Sequence, residues 1–386
     1  MFSELRVSHI VAGFIAILVG YTGSVAIIFQ VAEVVAATPD QMNSWFLVLR
    51  LGLGLTSIGL SWFYKMPILT AWSTPGAAFL ISALAGFDMA QAIGAFILSG
   101  MLIFLTGVTG LFERINKLIP PALASALLAG VLLQFCLDAF VQLQTEPVLV
   151  GGMFLVFAVS LKFLPRYAVP LALLTGVILS LSTGLIRTND IQLSFAQPVW
   201  TTPVFSISAV VGISIPLYFI TMAGQNVPGM AILRSSGYDV SASPLISWTG
   251  VVTVFTAPFG GFALNLAAIT AAICAGEEAG ENPDHRYLAS IFGGIFYLIA
   301  ALFGATIVML LSISPKALVL AIAGIALIGT FSNSMANAYL HEEDRLSVSI
   351  TFLVSASGIQ ILGVSSAFWA LLVGGIVRMV FNRNRP

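Results

Sequence analysis

Two hexapeptides, Thr74-Pro75-Gly76-Ala77-Ala78-Phe79 and Ala257-Pro258-Phe259-Gly260-Gly261-Phe262, interrupt otherwise apolar runs with proline and glycine. Proline lacks an amide donor and suits the first turn of a helix. Thr74 before it has the chemistry of an N-cap, and glycine leaves neighbouring amides open to close approach. The first hexapeptide predicts an extended entry over 68–73 and a half-helix from Pro75. The second predicts the same, with a half-helix from Pro258 or Gly261.

The surroundings of these breaks are membrane-like. Of 386 residues, 59% are hydrophobic and 8% charged, against about 25% charged in a soluble domain. The mean hydropathy is +1.03. So few charges cannot coat a water-facing surface of this size, which excludes a soluble enzyme and a disordered chain. A net charge of −1 provides no field for nucleic acid. Continuous apolar runs such as Ile10 to Phe29 and Ile291 to Leu311 suit membrane helices rather than the alternating strands of a barrel. The first run is too long for a cleavable signal. Cys136 and Cys274, both in apolar runs, read as buried small hydrophobes.

Polar breaks divide the chain into about fourteen spans, at 9–30, 45–63, 67–87, 90–112, 118–140, 147–164, 168–186, 204–224, 243–256, 258–275, 288–311, 315–335, 346–362 and 365–381. With the N-terminus in the cytoplasm, Arg50, Arg187 and Lys316 fall outside and the other basic residues fall inside, as the positive-inside rule requires. Both termini are then cytoplasmic, and the protein is a multi-pass membrane protein. The hydrophilic stretches Gly276 to Arg286 and His341 to Arg345 read as solvated cytoplasmic loops.

The two halves, 1–190 and 200–386, echo each other. Pro120, Ala122 and Leu123 recur as Pro315, Ala317 and Leu318, in spans five and twelve. The two hexapeptides fall in spans three and ten. Seven spans separate each pair, so equivalent spans run oppositely through the membrane, an inverted repeat of the kind found in secondary transporters. Two broken helices would then turn their N-termini toward each other near the midplane. Each N-terminus carries about half a positive charge and free amide donors, which together suit an anion.

The residues expected to hold that anion are Ser73, Thr74 and Gly76 on span three and Gly260, Gly261, Phe262 and Asn265 on span ten. Tyr21 and Ser24 on span one join them, with Tyr218, Gln225 and Asn226 on span eight. Asn265 is placed one turn into its half-helix. Valine at Gly76 or Gly261 should abolish binding yet leave membrane insertion intact. No span centre contains Asp, Glu, Lys, Arg or His on this division, which disfavours a cation carrier. Phe79, Phe259, Phe262, Tyr21 and Tyr218 could pack on an apolar ligand body. His9, His285 and His341 lie at predicted membrane edges, so no metal or nucleophilic cluster forms and an enzyme is disfavoured.

Ser73-Thr74-Pro75-Gly76, Ala257 to Phe262 with Asn265, and the loop from Cys274 through Asp284 resemble the BenE-like benzoate transporter family, over nearly the whole chain. That resemblance implies benzoate uptake with proton symport, no cofactor beyond the coupling proton, and kinship with uracil-type nucleobase symporters and sulfate permeases. It implies an all-α fold of fourteen spans as two inverted sevens. Spans one to four and eight to eleven (9–112 and 204–312) would form a core domain, and the others (116–186 and 315–382) a gate domain. Related folds often dimerise. The nucleobase branch binds its base with glutamates on spans eight and ten. Here Gln225, Asn226 and Asn265 stand in that neighbourhood, which argues against a neutral base and leaves the proton acceptor unassigned. An inorganic-anion or nucleobase carrier on the same fold is the alternative.

Overall fold

The structure, a computed structural model, describes residues 5–22, 24–112, 121–186, 195–277, 279–304, 306, 309–310, 313–359, 361 and 366–382. The repeat residue Pro120, the inter-repeat charges Arg187 and Asp190, and Glu278 lie outside the described residues.

The described elements group into the expected fourteen segments. Span one is broken into α1 (Val7–Thr22) and α2 (Val25–Val34). Span two is α3 (Pro39–Tyr64), opened by a capping box between Thr38 and Gln41 and ended by Lys65 in the left-handed region. Span three is β1 (Thr70–Trp72) followed by α4 (Thr74–Ala83). Span four is α5 (Met89–Val108), with a second capping box between Asp88 and Gln91. Then come α6 (Pro121–Val141), α7 (Pro147–Phe163) and α8 (Ala168–Ser182).

In the second half, α9 (Ile207–Arg234) contains two π-helical stretches, Val210–Ser214 and Met222–Asn226. Each ends just before a proline, Pro216 or Pro228, whose missing amide breaks the regular ladder. It is followed by α10 (Ala242–Thr256), β2 (Leu264–Leu266), α11 (Ile269–Ala275) and α12 (Tyr287–Leu302). The last three are α13 (Lys316–Ala338), α14 (Arg345–Ala356) and α15 (Ser366–Asn382). Among the described residues, eight helices are long and apolar enough to cross a membrane. Large side chains such as Phe63, Leu155 and Phe255 are exposed on their outer faces, as a lipid solvent permits.

Helices pack in two groups. In one, α3 and α1 lie on α12, α5 lies on α10, and α9 touches α4 and α5. In the other, α6 packs on α13, α14 and α15, and α7 pairs with α8. Cys136 and Cys274 are buried free thiols.

Three expectations need correction. The second half-helix begins at Ile269, not at Pro258 or Gly261. Residues Ala257–Phe259 close α10 as a 3-10 turn, Gly260 reverses the chain at φ 98°, and β2 intervenes. Arg50, expected at the outer end of span two with no charge at any span centre, lies well inside α3 and is fully buried. The hydrophilic stretches are more than solvated loops. Buried Arg286 donates from Nε to Gly280 O at 2.7 Å and from Nη1 to Ala275 O at 2.9 Å, closing the C-terminal end of α11. Burial holds the Tyr238 phenol above its ordinary pKa, against the pull of nearby Arg286. It therefore stays protonated and donates to Pro283 O at 2.8 Å. Asp344 is buried as well and pairs with Arg378.

Candidate functional site

The two breaks meet as a two-stranded antiparallel ribbon, with Thr70 opposite Leu266, Ala71 opposite Asn265 and Trp72 opposite Leu264. Ser73 N–H to Ala263 O at 3.0 Å and Ala267 N–H to Leu69 O at 2.9 Å extend it. Because the strands are antiparallel, α4 leaves one end of the ribbon and α11 the other, each with its N-terminus against the ribbon. Ser73, not Thr74, caps α4: its Oγ accepts the Gly76 amide at 3.0 Å. Thr74 is left partly exposed. Ala268 caps α11 without a side-chain bond. With only seven residues, α11 contributes the weaker dipole of the two.

Neighbouring spans satisfy the ribbon. Thr70 Oγ1 donates to Leu53 O at 3.0 Å and meets the hydroxyls of Thr56 and Ser57 at 2.7 and 2.9 Å. Thr253 Oγ1 accepts the Leu264 amide at 3.1 Å. Asn226 Oδ1 accepts the Leu266 amide at 3.0 Å. Asn226 thus ties α9 to the ribbon. An Asn226→Leu protein is expected to lose about 1–3 kcal/mol, the usual cost of orphaning a buried amide. The measurement is the thermal unfolding midpoint in detergent, and an unchanged midpoint would remove Asn226 from this role.

The other expected residues divide. Asn265 sits at the centre of β2 rather than on a helix, with Nδ2 donating to Ala263 O at 2.8 Å and a buried Oδ1 without a partner among the described residues. Gln225 is partly exposed. Ser24 Oγ accepts the Trp72 indole N–H at 2.7 Å, and Tyr21 stands edge-on to Trp72 at 6.0 Å. Tyr218 is instead turned toward α5, its hydroxyl 2.7 Å from that of Thr106. Phe262 packs with Trp45 and Phe96, and Gly260 lies directly under the Trp45 ring. Gly76 is buried against Leu217 and Gly261 against Thr256. Gly260, Gly261, Phe262 and Tyr218 are therefore packing positions in this conformation. Valine at Gly76 or Gly261 would disturb the fold as well as any ligand, against the expectation that insertion stays intact.

An open cavity of about 570 Å³ lies between α9 and the α6–α13–α15 group. Its walls include Ser125, Leu128, Gly224, Asn337, Asp344 and Arg378. Arg378 Nε donates to Asp344 Oδ1 at 2.6 Å and Nη2 reaches Oδ2 at 3.4 Å, a forked pair. Its lining includes Gly224, where a Cβ would stand 3.6 Å from Pro75 Cγ, so the buried first turn of α4 lies immediately behind this wall. Sequence reasoning missed Gly224, Trp72 and the Asp344–Arg378 pair. Only Trp72, a large amphipathic side chain beside the break, carried a local signal. No group of three or more metal-ligating side chains occurs among the described residues.

Comparison with known proteins follows this geometry. The chain is 42% identical over 380 residues to the inner membrane protein YdcO of Escherichia coli, covering 97% of both chains. It is 37% identical over 371 residues to the benzoate membrane transport protein of Acinetobacter baylyi, covering 96% of this chain and 94% of that one. Among solved structures, the transmembrane domain of the cyanobacterial bicarbonate transporter BicA matches with a TM-score of 0.66 at 14% identity, covering 98% of both chains. SLC26A9 matches with 0.57 at 14% identity, covering 96% of this chain and 65% of that one. These two likenesses establish the fold, an inverted repeat of membrane helices. Residues 3–380 match the model of the benzoate membrane transport protein family; the chain belongs to that family, whose members are membrane transporters and not enzymes.

Proposed function

We propose that the protein imports a small aromatic carboxylate, benzoate foremost, across the bacterial inner membrane by alternating access with proton symport, both termini facing the cytoplasm. The observation that carries this reading is the capped first turn of α4, set against the ribbon and lying behind the Gly224 wall of an open cavity. A carboxylate there would meet the positive end of α4, and the apolar walls around Leu128 would take the ring. The ribbon and its helices would move as a core against the α6–α8 and α13–α15 group, the core and gate division that the family resemblance implies. The proton would be the coupling ion. The decisive test is radiolabelled benzoate uptake into proteoliposomes under an inward proton gradient, with uracil, bicarbonate and sulfate as competitors. Uptake above empty vesicles, competed by neither uracil nor the inorganic anions, is expected. Uptake equal to that of empty vesicles would overturn the proposal.

A further inference from the structure

Two guanidinium groups are buried among the described residues, and the fold treats them differently. Arg286 is satisfied by backbone carbonyls at the negative end of α11, at Gly280, Ala275 and Glu281. Arg50, deeper in the protein at 0% exposure, is served poorly. Its Nη2 is bonded to the Tyr21 hydroxyl, its Nη1 reaches Ala300 O at 3.3 Å, and its Nε has no partner among the described residues. The rings of Tyr21 and Phe46 lie 4.8 and 5.0 Å from Cζ. No carboxylate pairs with it among the described residues. A buried charge lacking a counter-ion is costly, and cation–π contacts return only part of that cost.

The position of this charge suggests what balances it. Tyr21 links Arg50 to the ribbon: the Tyr21 ring is 4.8 Å from the guanidinium and 6.0 Å from the Trp72 ring, so Arg50 lies within about 11 Å of Trp72. Trp72 immediately precedes Ser73, the cap of α4. Tyr21 itself remains partly exposed, whereas Arg50 does not.

We propose that Arg50 is the fixed positive charge that the transported anion neutralises, acting across the Tyr21–Trp72 wall as an electrostatic positioning residue that never touches the ligand. This rests on the aromatic-carboxylate reading above and adds the source of its charge preference. A unit charge at a separation on the order of 10 Å and an effective dielectric near 20 changes anion affinity by roughly tenfold. A neutral ligand of the same shape feels little of it.

The test uses purified full-length wild type, Arg50→Gln and Arg50→Lys, each shown folded by size-exclusion and thermal melting. Binding of benzoate and of benzamide, its neutral counterpart, is titrated for each. Arg50→Gln should weaken benzoate by roughly tenfold and leave benzamide unchanged, whereas Arg50→Lys, which keeps the charge and loses the forked donors, should hold benzoate within roughly threefold. Wild-type benzoate affinity in Arg50→Gln, or equal loss of both ligands, overturns the proposal. Should Arg50→Gln not fold, Arg50→Lys still decides: folded protein with benzoate binding lost would show that the donors matter and the charge does not. Failure of the wild type to bind benzoate at all would instead count against the proposed substrate.

Discussion

Gly260→Ala is expected to leave little folded protein in the membrane. A Cβ at this position would lie 1.5 Å from Cδ1 and 1.9 Å from Nε1 of Trp45, and the backbone there has φ 98°. Trp45 cannot yield easily. It is fully buried and stands against Phe96 at 5.7 Å and Phe262 at 5.9 Å between ring centroids. The strained backbone costs about 1–3 kcal/mol and overpacking about 1–3 kcal/mol more. Gly260 also makes the turn that brings β2 beside β1: its amide donates to Ala257 O at 2.8 Å, and the Gly261 amide to Thr256 O at 3.0 Å. Moving the turn would therefore misalign the ribbon that both half-helices abut. The check is the monodisperse fraction on size-exclusion and the melting temperature in detergent. Wild-type values for both would mean that the Trp45 layer relaxes and that the turn does not fix the ribbon.

The same glycine shows where reading the sequence reached its limit. The number of spans, their order and the presence of two breaks were legible because hydropathy and proline–glycine punctuation are local signals. The start of α4 was legible to within one residue, since Ser73 and Thr74 are both capping residues beside Pro75. The second break was misread for a physical reason. Proline and glycine at 258–261 mark the end of α10, whereas α11 starts at Ile269 with no capping side chain at Ala268. Nothing local in Leu264-Asn265-Leu266 announces a strand. It is one because β1, nearly two hundred residues earlier, supplies its partner. Asn226 was singled out as polar and buried, which it is, but its partner is the Leu266 amide. Arg50 escaped notice because a single arginine near the outer end of span two reads as a charge at the membrane edge. Only the packing of α1 and α12 on α3 puts Tyr21 and Ala300 around it.

Gly224→Leu should fill the cavity wall that lies over α4 while the protein remains folded, and Gly224→Ala should not. Gly224 lies in the π-helical stretch Met222–Asn226, is partly exposed, and lines the cavity. A methyl there would meet Pro75 Cγ at 3.6 Å and Leu128 Cδ2 at 3.7 Å, ordinary contact distances. Alanine also favours a helical backbone over glycine by about 1 kcal/mol, so Gly224→Ala should melt at or above the wild-type temperature and still transport. Leucine adds an isobutyl group at the point where α9 and α4 on one side face α6 on the other. It can only point into the cavity or wedge between Pro75 and Leu128. Either way a ligand is kept from the α4 N-terminus, and sliding of one helix group past the other is obstructed. Uptake of benzoate is expected to fall by roughly tenfold or more, equivalent to about 1.4 kcal/mol or more, with a melting temperature near that of the wild type. Gly76 and Gly261 cannot serve this purpose, because a Cβ at either meets heavy atoms closer than 3 Å, and loss of transport there would not separate blockage from misfolding. Undiminished uptake by folded Gly224→Leu would show that the ligand does not travel through this cavity, and the site at α4 would then have to be reached from elsewhere.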